Sequence, residues 1–314
     1  MADAITNTGF FAWMMDMLRS LAGIRTPFLD STMSAVTILG EEMAFIVIGL
    51  IVLWCFDKKF GYRFLFMYIA GTFVNQFLKA IFMIPRPWVI DRDFQIVESA
   101  RDGASGWSFP SGHTQSAVLL YGGLARRIKK GWAYIAAVLL VLIVGFSRMY
   151  LGVHTLLDVG VSVVTGIIII IICEALFNRI GDSAGAYSVV TAVVAALCLG
   201  LIVFILSGAV GAPEASQVKD AAVLFGTAFG LFAGSFVEMR WIRFETKAAW
   251  WAQIIKAVLG LGIILGLRIV LKPLLALISD SPLMDCARYF IMSFVAIAVY
   301  PLLFRFFAAT SKKA

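Results

Sequence analysis

The segment LLDVGVSVVTGIIIIIICEALF, residues 156–177, decides the fold class of this chain. It is 22 residues long, and only Asp158 and Glu174 in it carry a charge. An α-helix rises about 1.5 Å per residue, so about 20 apolar residues cross the roughly 30 Å hydrocarbon core of a bilayer. The segment is therefore predicted to be a membrane-spanning helix.

The rest of the chain extends this pattern. Of 314 residues, 61% are hydrophobic and 14% are charged, whereas soluble domains are nearer about one half and one quarter. The apolar segments predict an all-α, polytopic membrane bundle of about nine spans, of which the third and fourth are short enough to need tilt or local bilayer thinning. The predicted spans cover residues 33–55, 62–83, 112–124, 132–146, 156–177, 187–206, 221–237, 250–271 and 287–307.

The N-terminal residues 1–30 have a different character. They mix aromatic and methionine side chains with charged residues such as Asp16, Arg19 and Arg25. This mixture lacks the unbroken apolar core of a signal peptide. It indicates an amphipathic helix that lies in the membrane interface.

Lysine and arginine residues fall mainly in alternate connections between the predicted spans. Short loops rich in these residues stay in the cytoplasm, so the C-terminus is predicted to be cytoplasmic and the N-terminus to face outward. The positive connections contain Lys58, Lys59 and Arg63, then Arg126, Arg127, Lys129 and Lys130, then Arg179, then Arg240, Arg243 and Lys247, and finally Arg305, Lys312 and Lys313.

Charge and cysteine content exclude other functional classes. Membrane topology explains the net charge of +7, because most of the excess lies in cytoplasmic loops beside anionic lipid headgroups. No nucleic-acid partner is therefore expected. The four cysteines have no paired spacing, so neither a zinc site nor a disulfide framework is predicted. They are Cys55, Cys173, Cys198 and Cys286.

Polar residues that could take part in catalysis or ligand binding are concentrated on the predicted outer side, between Lys79 and Asp158. The first cluster is Lys79 and Arg86, at the end of the second span and just beyond it. Charged groups at such depth are usually functional or paired. The ordinary alternative is that both side chains extend toward the headgroups.

The second cluster is the sequence FPSGHT, residues 109–114. Pro, Ser and Gly before an apolar run predict a turn and a helix start, where free N–H groups and the helix dipole favour an anion. Gly112 would let an anion approach the backbone closely. An ordinary helix capped by Ser111 explains the same residues.

The third cluster is SRMYLGVHTLLD, residues 147–158. His154 and Asp158 are four residues apart, so both lie on one face of the predicted fifth span. A carboxylate there can fix the imidazole tautomer and leave the other nitrogen free as a base or nucleophile. A buried aspartate also needs a partner for structural reasons, so the pair alone does not establish catalysis.

The order and spacing of these clusters, K-x6-RP, PSGH and SR-x5-H-x3-D, resemble the three-part signature of the type 2 phosphatidic acid phosphatase superfamily, whose fold is shared with haloperoxidases. Every signature position is filled between Lys79 and Asp158. The N-terminal sequence from Leu39 to Tyr62 is also similar to that of bacterial members related to sphingosine-phosphate phosphatases.

This resemblance implies roles for eight residues. His154 is expected to be the nucleophile that forms a phosphohistidine, Asp158 to orient it, and His113 to be the general acid that protonates the leaving oxygen. The phosphate-binding group is expected to comprise Lys79, Arg86, Ser111, Gly112 and Arg148. No metal or other cofactor is implied, because cationic side chains take the part that magnesium plays in other phosphoryl-transfer enzymes.

The resemblance also implies an organisation and an activity. Residues 1–30 are predicted to be the interfacial segment, residues 31–180 the phosphatidic acid phosphatase-like catalytic core, and residues 181–314 additional transmembrane helices. The expected activity is a metal-independent lipid phosphatase on the outer face of a bacterial plasma membrane. Its substrate would be a polyprenyl diphosphate, phosphatidic acid, phosphatidylglycerol phosphate or a sphingoid-base phosphate. A lipid phosphotransferase and a non-catalytic lipid-phosphate binder or transporter are the alternatives, and the oligomeric state stays open.

Two further patterns have no assigned role. Glu41 and Glu42 lie in the first predicted span, where carboxylates need a partner. Glycines recur at four-residue intervals in the seventh and eighth spans, which favours close helix packing. Packing within the chain is the preferred interpretation, and a dimer face is the alternative. These glycines are Gly226, Gly230 and Gly234, with Gly262 and Gly266.

Overall fold

A computed structural model describes residues 6, 8–209, 211 and 214–308. These residues form helices and their connections, and no β-strand occurs among them. The predicted all-α membrane fold is therefore confirmed. Lys312 and Lys313, and the first residues of the predicted interfacial segment, lie outside the described residues.

The described chain is a succession of α-helices, several of which continue into a π-helical turn. These π-helical turns are Val52–Phe56, Val118–Gly122, Glu238–Ile242 and Val295–Val299. The α-helices are α1 (Gly9–Gly23), α2 (Pro27–Thr37), α3 (Glu42–Ile51), α4 (Lys58–Phe82), α5 (Pro87–Ile90), α6 (Gly112–Ala117), α7 (Gly123–Ile128), α8 (Gly131–Tyr150), α9 (Leu156–Ile180), α10 (Ala184–Leu206), α11 (Ala215–Val237), α12 (Trp250–Ala276), α13 (Pro282–Phe294) and α14 (Phe304–Ala308).

The number of membrane spans differs from the prediction. In the described residues, seven helices are long and apolar enough to cross a bilayer, and an eighth span results if the pair Pro27–Gly40 and Glu42–Phe56, bent by 45°, counts as one. The predicted count of nine is not confirmed. The difference lies at residues 112–128, where 17 helical residues are about 26 Å long and fall short of the hydrocarbon core.

The chain divides into two compact units. One comprises Met1–Phe45 with Gly71–Ile172, and the other Ile46–Ala70 with Cys173–Ala314. All eight predicted site residues belong to the first unit. The sequence-based division at residues 30 and 180 stays a prediction.

In the first unit, α1 is amphipathic, as the sequence predicts. Thr8 caps its N-terminus by accepting a hydrogen bond from the Phe11 N–H at 3.2 Å. Its buried face joins Phe94, in the connection between α5 and α6, in one apolar cluster, whereas Phe10 and Trp13 are 54% and 53% exposed. The buried residues of α1 in this cluster are Phe11, Met14, Met15 and Leu18.

In the second unit, a fully buried glutamate joins three segments of the chain. Both Glu238 carboxylate oxygens are hydrogen-bonded: Lys58 Nζ donates at 2.5 Å, the Tyr62 hydroxyl at 2.6 Å and the Phe244 N–H at 3.0 Å. We call Glu238, Lys58, Tyr62 and Phe244 the Glu238 cluster.

The glycine pattern of α11 is explained by packing within the second unit. A Cβ atom on Gly230 would lie 2.7 Å from the Phe290 carbonyl oxygen, and one on Gly234 would lie 2.9 Å from Ile297 Cβ. Gly226 faces the Cys286 backbone in the same way. Intramolecular packing of the three α11 glycines is therefore confirmed. For Gly262 and Gly266, no atom of the described chain lies within 4 Å of an added Cβ.

Candidate active site

His154 lies in the five-residue connection between α8 and α9, and both it and Asp158 are buried. Asp158 lies in the first turn of α9. The spacing predicted to bring the two together does so, because His154 Nδ1 lies 3.5 Å from Asp158 Oδ2. The carboxylate is therefore on the Nδ1 side of the ring, and Nε2 points elsewhere.

Asp158 has a second task, which is to cap its own helix. Its Oδ2 accepts a hydrogen bond from the Thr155 N–H at 2.7 Å, and the Asp158 N–H donates back to Thr155 Oγ1 at 3.4 Å. This reciprocal pair is a capping box. The same oxygen also accepts from the Ser108 hydroxyl at 2.6 Å. Asp158 is thus fixed by the helix end and by the segment before the second signature cluster.

Arg86 is buried against the other nitrogen of His154. Its Nη1 lies 2.9 Å from His154 Nε2 and donates to the Val153 carbonyl at 3.0 Å. Nε and Nη2 donate to the carbonyls of Gly106 and Ser105 at 3.1 and 2.9 Å. The same Nη1 also lies 3.5 Å from His154 Nδ1. A guanidinium can only donate, so its closer approach to Nε2 and the Asp158 carboxylate beside Nδ1 together favour a neutral ring with its proton on Nδ1. This is the tautomer that a nucleophilic Nε2 requires.

The surroundings of His154 favour the same neutral state. Burial lowers the pKa of His154 well below its ordinary value of 6.5, and the positive charges of Arg86, Arg148 and Lys79 lower this pKa further. Charge repulsion between an imidazolium and three cations explains the direction. The ring is therefore neutral at neutral pH, and the lone pair of its unprotonated nitrogen faces Arg86.

Arg148, near the end of α8, is the second buried guanidinium of the site. Its Nη1 donates to Thr37 Oγ1 at 2.8 Å, which ties α8 to α2. Its Nε and Nη2 are buried and have no hydrogen-bond partner. Buried donors are nearly always satisfied in native proteins. Two such N–H groups on one cation therefore indicate a place for an anion.

The Ser111 to His113 segment starts α6. Ser111 is its N-cap, accepting from the Thr114 N–H at 3.4 Å, and the Ser162 hydroxyl donates to the Ser111 carbonyl at 2.9 Å. The predicted cap is therefore present. Within the part of the chain that the structure describes, a Cβ on Gly112 would meet only Asn75 Oδ1, at 3.9 Å, so these residues leave the backbone there open to a ligand.

His113 and Lys79 complete the cluster. Burial lowers the pKa of His113 well below its ordinary value of 6.5, and the positive charges of Arg148, Arg86 and Lys79 lower it further. The three predicted cations therefore act on both predicted histidines. Lys79 lies in the last turn of α4. One turn earlier, Asn75 Nδ2 donates to Gln115 Oε1 at 2.7 Å and so fixes that end of α4 to α6.

Several residues of the site were missed by sequence reasoning. The T-x-x-D pattern of Thr155 and Asp158 is a recognisable capping signal and was available in the sequence. No local pattern identifies Ser108, Thr37 or Gly40. A Cβ on Gly40 would lie 2.7 Å from the His113 carbonyl oxygen and 2.6 Å from Val144 Cγ1, so only glycine allows this close approach.

Glu41 follows Gly40 at the break between α2 and α3. Its negative charge acts favourably on Arg148. This makes Glu41 a neighbour of the site rather than a residue of a continuous span.

Comparison with known proteins identifies the family. Residues 60–182 match the model of the PAP2 superfamily, and residues 222–312 match that of the PAP2 superfamily phosphatase transmembrane extension. The undecaprenyl-diphosphatase BcrC of Bacillus subtilis is 31% identical over 160 residues, which cover 49% of this chain and 77% of that protein. The chain belongs to the PAP2 superfamily. The family predicted from the signature is thereby confirmed, and the protein is an integral membrane enzyme of the lipid phosphatase class.

Other superfamily members match different shares of the chain. Phosphatidylglycerophosphatase B of Bacillus subtilis is 31% identical over 150 residues, 43% of this chain and 69% of that protein. Sphingosine-1-phosphate phosphatase 1 of Rattus norvegicus is 26% identical over 205 residues, and the match covers 63% of this chain and 46% of the relative. The chain therefore matches less than half of the length of this last relative.

Two solved structures are also similar to part of the chain. Aquifex aeolicus LpxE is 28% identical with a TM-score of 0.46, covering 51% of this chain and 93% of that protein. A phosphatidylglycerolphosphate phosphatase from Bacillus subtilis is 24% identical with a TM-score of 0.47, covering 57% and 92%.

Proposed function

We propose that this protein removes phosphate from a membrane lipid through a phosphohistidine at His154, without a metal ion, on the outer face of a bacterial plasma membrane. The observation that carries the proposal is Arg148. Its two buried N–H groups without partners would gain their hydrogen bonds from phosphoryl oxygens. Guanidinium and phosphate match in geometry and charge.

In the first proposed step, His154 Nε2 attacks phosphorus. An N–P bond forms, and the bond from phosphorus to the lipid oxygen breaks. Burial and the neighbouring cations lower the pKa of His113, and the negative charge of the bound phosphate opposes this effect. His113 is therefore proposed to be protonated when the substrate is bound, and it gives the leaving oxygen that proton. Asp158 stabilises the Nδ1–H side of the ring as positive charge develops. Arg86, Arg148 and Lys79 bind the equatorial oxygens, where this transfer concentrates negative charge.

In the second proposed step, water replaces His154. His113, now neutral, accepts a proton from water as the water oxygen bonds to phosphorus. The N–P bond breaks and inorganic phosphate leaves. One histidine thus acts first as acid and then as base, and His154 returns to its starting tautomer.

The metal-free proposal rests on the chemistry of the groups present. Hard divalent cations in phosphoryl-transfer sites bind carboxylate and phosphate oxygens. Here three cationic side chains act on both histidines, and Asp158 is the carboxylate beside His154. Asp158 is already bonded to Ser108 and Thr155. These groups suit direct binding of an anion.

The substrate class follows from the membrane setting and the relatives. The named relatives are phosphatases of undecaprenyl diphosphate, phosphatidylglycerophosphate and sphingosine-1-phosphate. The shared chemistry is a terminal phosphate on a lipid. We propose a bacterial lipid monophosphate or diphosphate as the substrate of this chain.

Phosphate release by the purified protein tests the proposal. Wild type and His154→Ala are compared with EDTA present, over a panel of polyprenyl diphosphate, phosphatidic acid, phosphatidylglycerol phosphate and sphingoid-base phosphate. We expect release that survives EDTA and falls by about 10³-fold or more in the variant. Brief incubation with labelled substrate should also leave acid-labile label on wild type only.

The possible outcomes separate the alternatives. Activity that requires a metal would contradict the metal-free mechanism, and an active His154→Ala would contradict the nucleophile. Label that moves to an added lipid or sugar alcohol, with little release to water, would identify a phosphotransferase. Substrate binding without turnover by wild type would identify a binder.

A further inference from the structure

The connection that carries His154 is held in place by an arginine from the N-terminal segment, outside the superfamily signature. We propose that Arg25 is a positioning residue, which fixes residues 150–153 and thereby aims His154 at the phosphate. This inference rests on the proposed function, because it assumes that His154 must be aimed.

All three guanidinium nitrogens of Arg25 donate hydrogen bonds to backbone carbonyls. Its Nε and Nη2 donate to the Tyr150 carbonyl at 3.1 and 2.8 Å, and its Nη1 donates to the Gln95 carbonyl at 2.6 Å. The guanidinium also lies 5.7 Å from the ring centre of Phe94 and 5.9 Å from that of Tyr150. Arg25 thus links three segments that are distant in sequence.

The contact with Tyr150 is made at the end of a helix. Tyr150 is the last residue of α8, and the final carbonyls of a helix lack partners within it. A cation at this end is also stabilised by the helix dipole. Arg25 therefore acts as a C-terminal cap that is supplied from another segment.

The chain turns directly beneath this arginine. Gly152 has a φ of +81°, which glycine adopts without strain. A Cβ at this position would lie 2.8 Å from Arg25 Nη2 and 2.9 Å from Phe94 Cε1. The turn before His154 is therefore built to fit under the guanidinium and the Phe94 ring.

Hydrogen bonds to the backbone also fix the residues between this turn and His154. The Val97 N–H donates to the Leu151 carbonyl at 3.1 Å, and Arg86 donates to the Val153 carbonyl at 3.0 Å. Carbonyls 150, 151 and 153 are each bound from a different part of the chain, and residue 154 follows at once. Since a shift of about 1 Å in a reacting group can lower a rate by about 10²-fold, these bonds bear on the chemical step.

Helix α1 packs against the residues on both sides of this connection. Arg25 follows α1 closely, and the apolar cluster of α1 includes Phe94 with Met149 and Leu157 on either side of the connection. Arg19, on the same helix, instead makes an exposed ion pair with Asp91 at 2.8 Å. Arg19 is a matched control, because it is an arginine of the same segment that does not contact residues 150–153.

Steady-state kinetics of three variants test the proposal. Arg25→Ala should lower kcat by about tenfold or more and leave KM within about twofold, because the phosphate-binding cations remain while the aim of His154 is lost. Arg25→Lys should recover part of the loss, since one ammonium cannot bond both carbonyls as the guanidinium fork does. Arg19→Ala should stay within about twofold of wild type.

A mutant cycle shows whether Arg25 acts through the turn. Gly152→Ala should also lower kcat, because its Cβ would displace the guanidinium. The double variant with Arg25→Ala should be no worse than the poorer single variant, as expected for residues that share one contact. Losses that multiply would overturn the proposal, as would an Arg25→Ala variant with the kcat of wild type.

Hydrogen exchange gives a result that does not depend on activity. Amides 151–155 should exchange at least about tenfold faster in Arg25→Ala and at an unchanged rate in Arg19→Ala. Unchanged exchange in Arg25→Ala would contradict the positioning role even if every substrate failed. Inactivity of wild type, with faster exchange in Arg25→Ala, would instead contradict the proposed function and leave the support role in place.

Discussion

Each unit of the molecule contains a cluster of buried charged side chains, namely the candidate site in the first unit and the Glu238 cluster in the second. The two clusters differ in how completely their hydrogen-bonding groups are satisfied. In the Glu238 cluster, both carboxylate oxygens have donors within 3.0 Å. In the candidate site, every guanidinium nitrogen of Arg86 has a hydrogen-bond partner. Arg148, in contrast, donates to Thr37 through Nη1, and its buried Nε and Nη2 have no hydrogen-bond partner.

The difference separates a structural role from a ligand-binding one. A buried charge that is fully hydrogen-bonded holds its segments together, and its loss leaves the partners unsatisfied. A buried cation with free donors destabilises the folded protein until a ligand completes it. We therefore expect mutations in the Glu238 cluster to affect stability, and mutations of Arg148 to affect activity.

Arg148→Met should give the largest effect, because it removes the incomplete cation and keeps a similar volume. We expect kcat/KM to fall by about 10²- to 10³-fold, as for loss of one strong donor to a transition-state oxyanion. The thermal midpoint should stay the same or rise, because a buried unpaired charge is replaced by an apolar side chain. Phosphate-release kinetics and thermal unfolding in detergent measure the two quantities. A large fall in the thermal midpoint would show that Arg148 is structural.

Glu238→Gln should give the opposite result. Lys58 loses its counter-charge, and we expect a loss of about 2 kcal/mol of unfolding free energy, below the full value for a buried pair because Lys58 is partly exposed. Activity per folded molecule should stay within about twofold. SDS-induced unfolding followed by assay of the folded fraction measures both. A selective loss of kcat without loss of stability would break the comparison.

The titration of His154 should give the smallest effect. Since burial and three cations lower its pKa below 6.5, the unfolded chain binds a proton just below pH 6.5 that the folded chain does not. This difference makes the folded state less stable as the pH falls through this window. The chain has two histidines, so imidazole NMR of His113→Gln reports on His154 alone. Titration at or above pH 6.5 would contradict the assignment.

The titration of His154 in the His113→Gln variant also distinguishes the candidate site from the Glu238 cluster. Arg148→Met removes one of the cations that lower the pKa of His154, so the titration should move upward. Glu238→Gln should leave it unchanged.

The sequence predicted the helical membrane fold because long apolar segments leave few alternatives. It also predicted the His154 and Asp158 pair and the Ser111 cap, because four-residue spacing and N-cap chemistry are local. Residues 112–128 were harder, since apolar composition does not show where a helix becomes too short to cross the bilayer.

The remaining parts of the site depend on contacts between distant segments. Nothing near Thr37 indicates that it bonds Arg148, and nothing near Ser108 indicates that it bonds Asp158. Arg25 looked like one charge among several in an interfacial helix. The partial satisfaction of Arg148 is also a property of three-dimensional packing, so no spacing rule can predict it.

The capping box at the start of α9 has a consequence for how this protein can change through evolution. Asp158 has two roles, because the same oxygen accepts the capping hydrogen bond of the helix and faces the ring of His154, the proposed nucleophile. If selection for activity were relaxed, His154 could be replaced while the helix kept its cap, but Asp158 would still be retained for folding. A descendant of this gene that had lost its activity would therefore lose the proposed nucleophile, His154, before it lost Asp158. The aspartate alone would then not indicate an active enzyme.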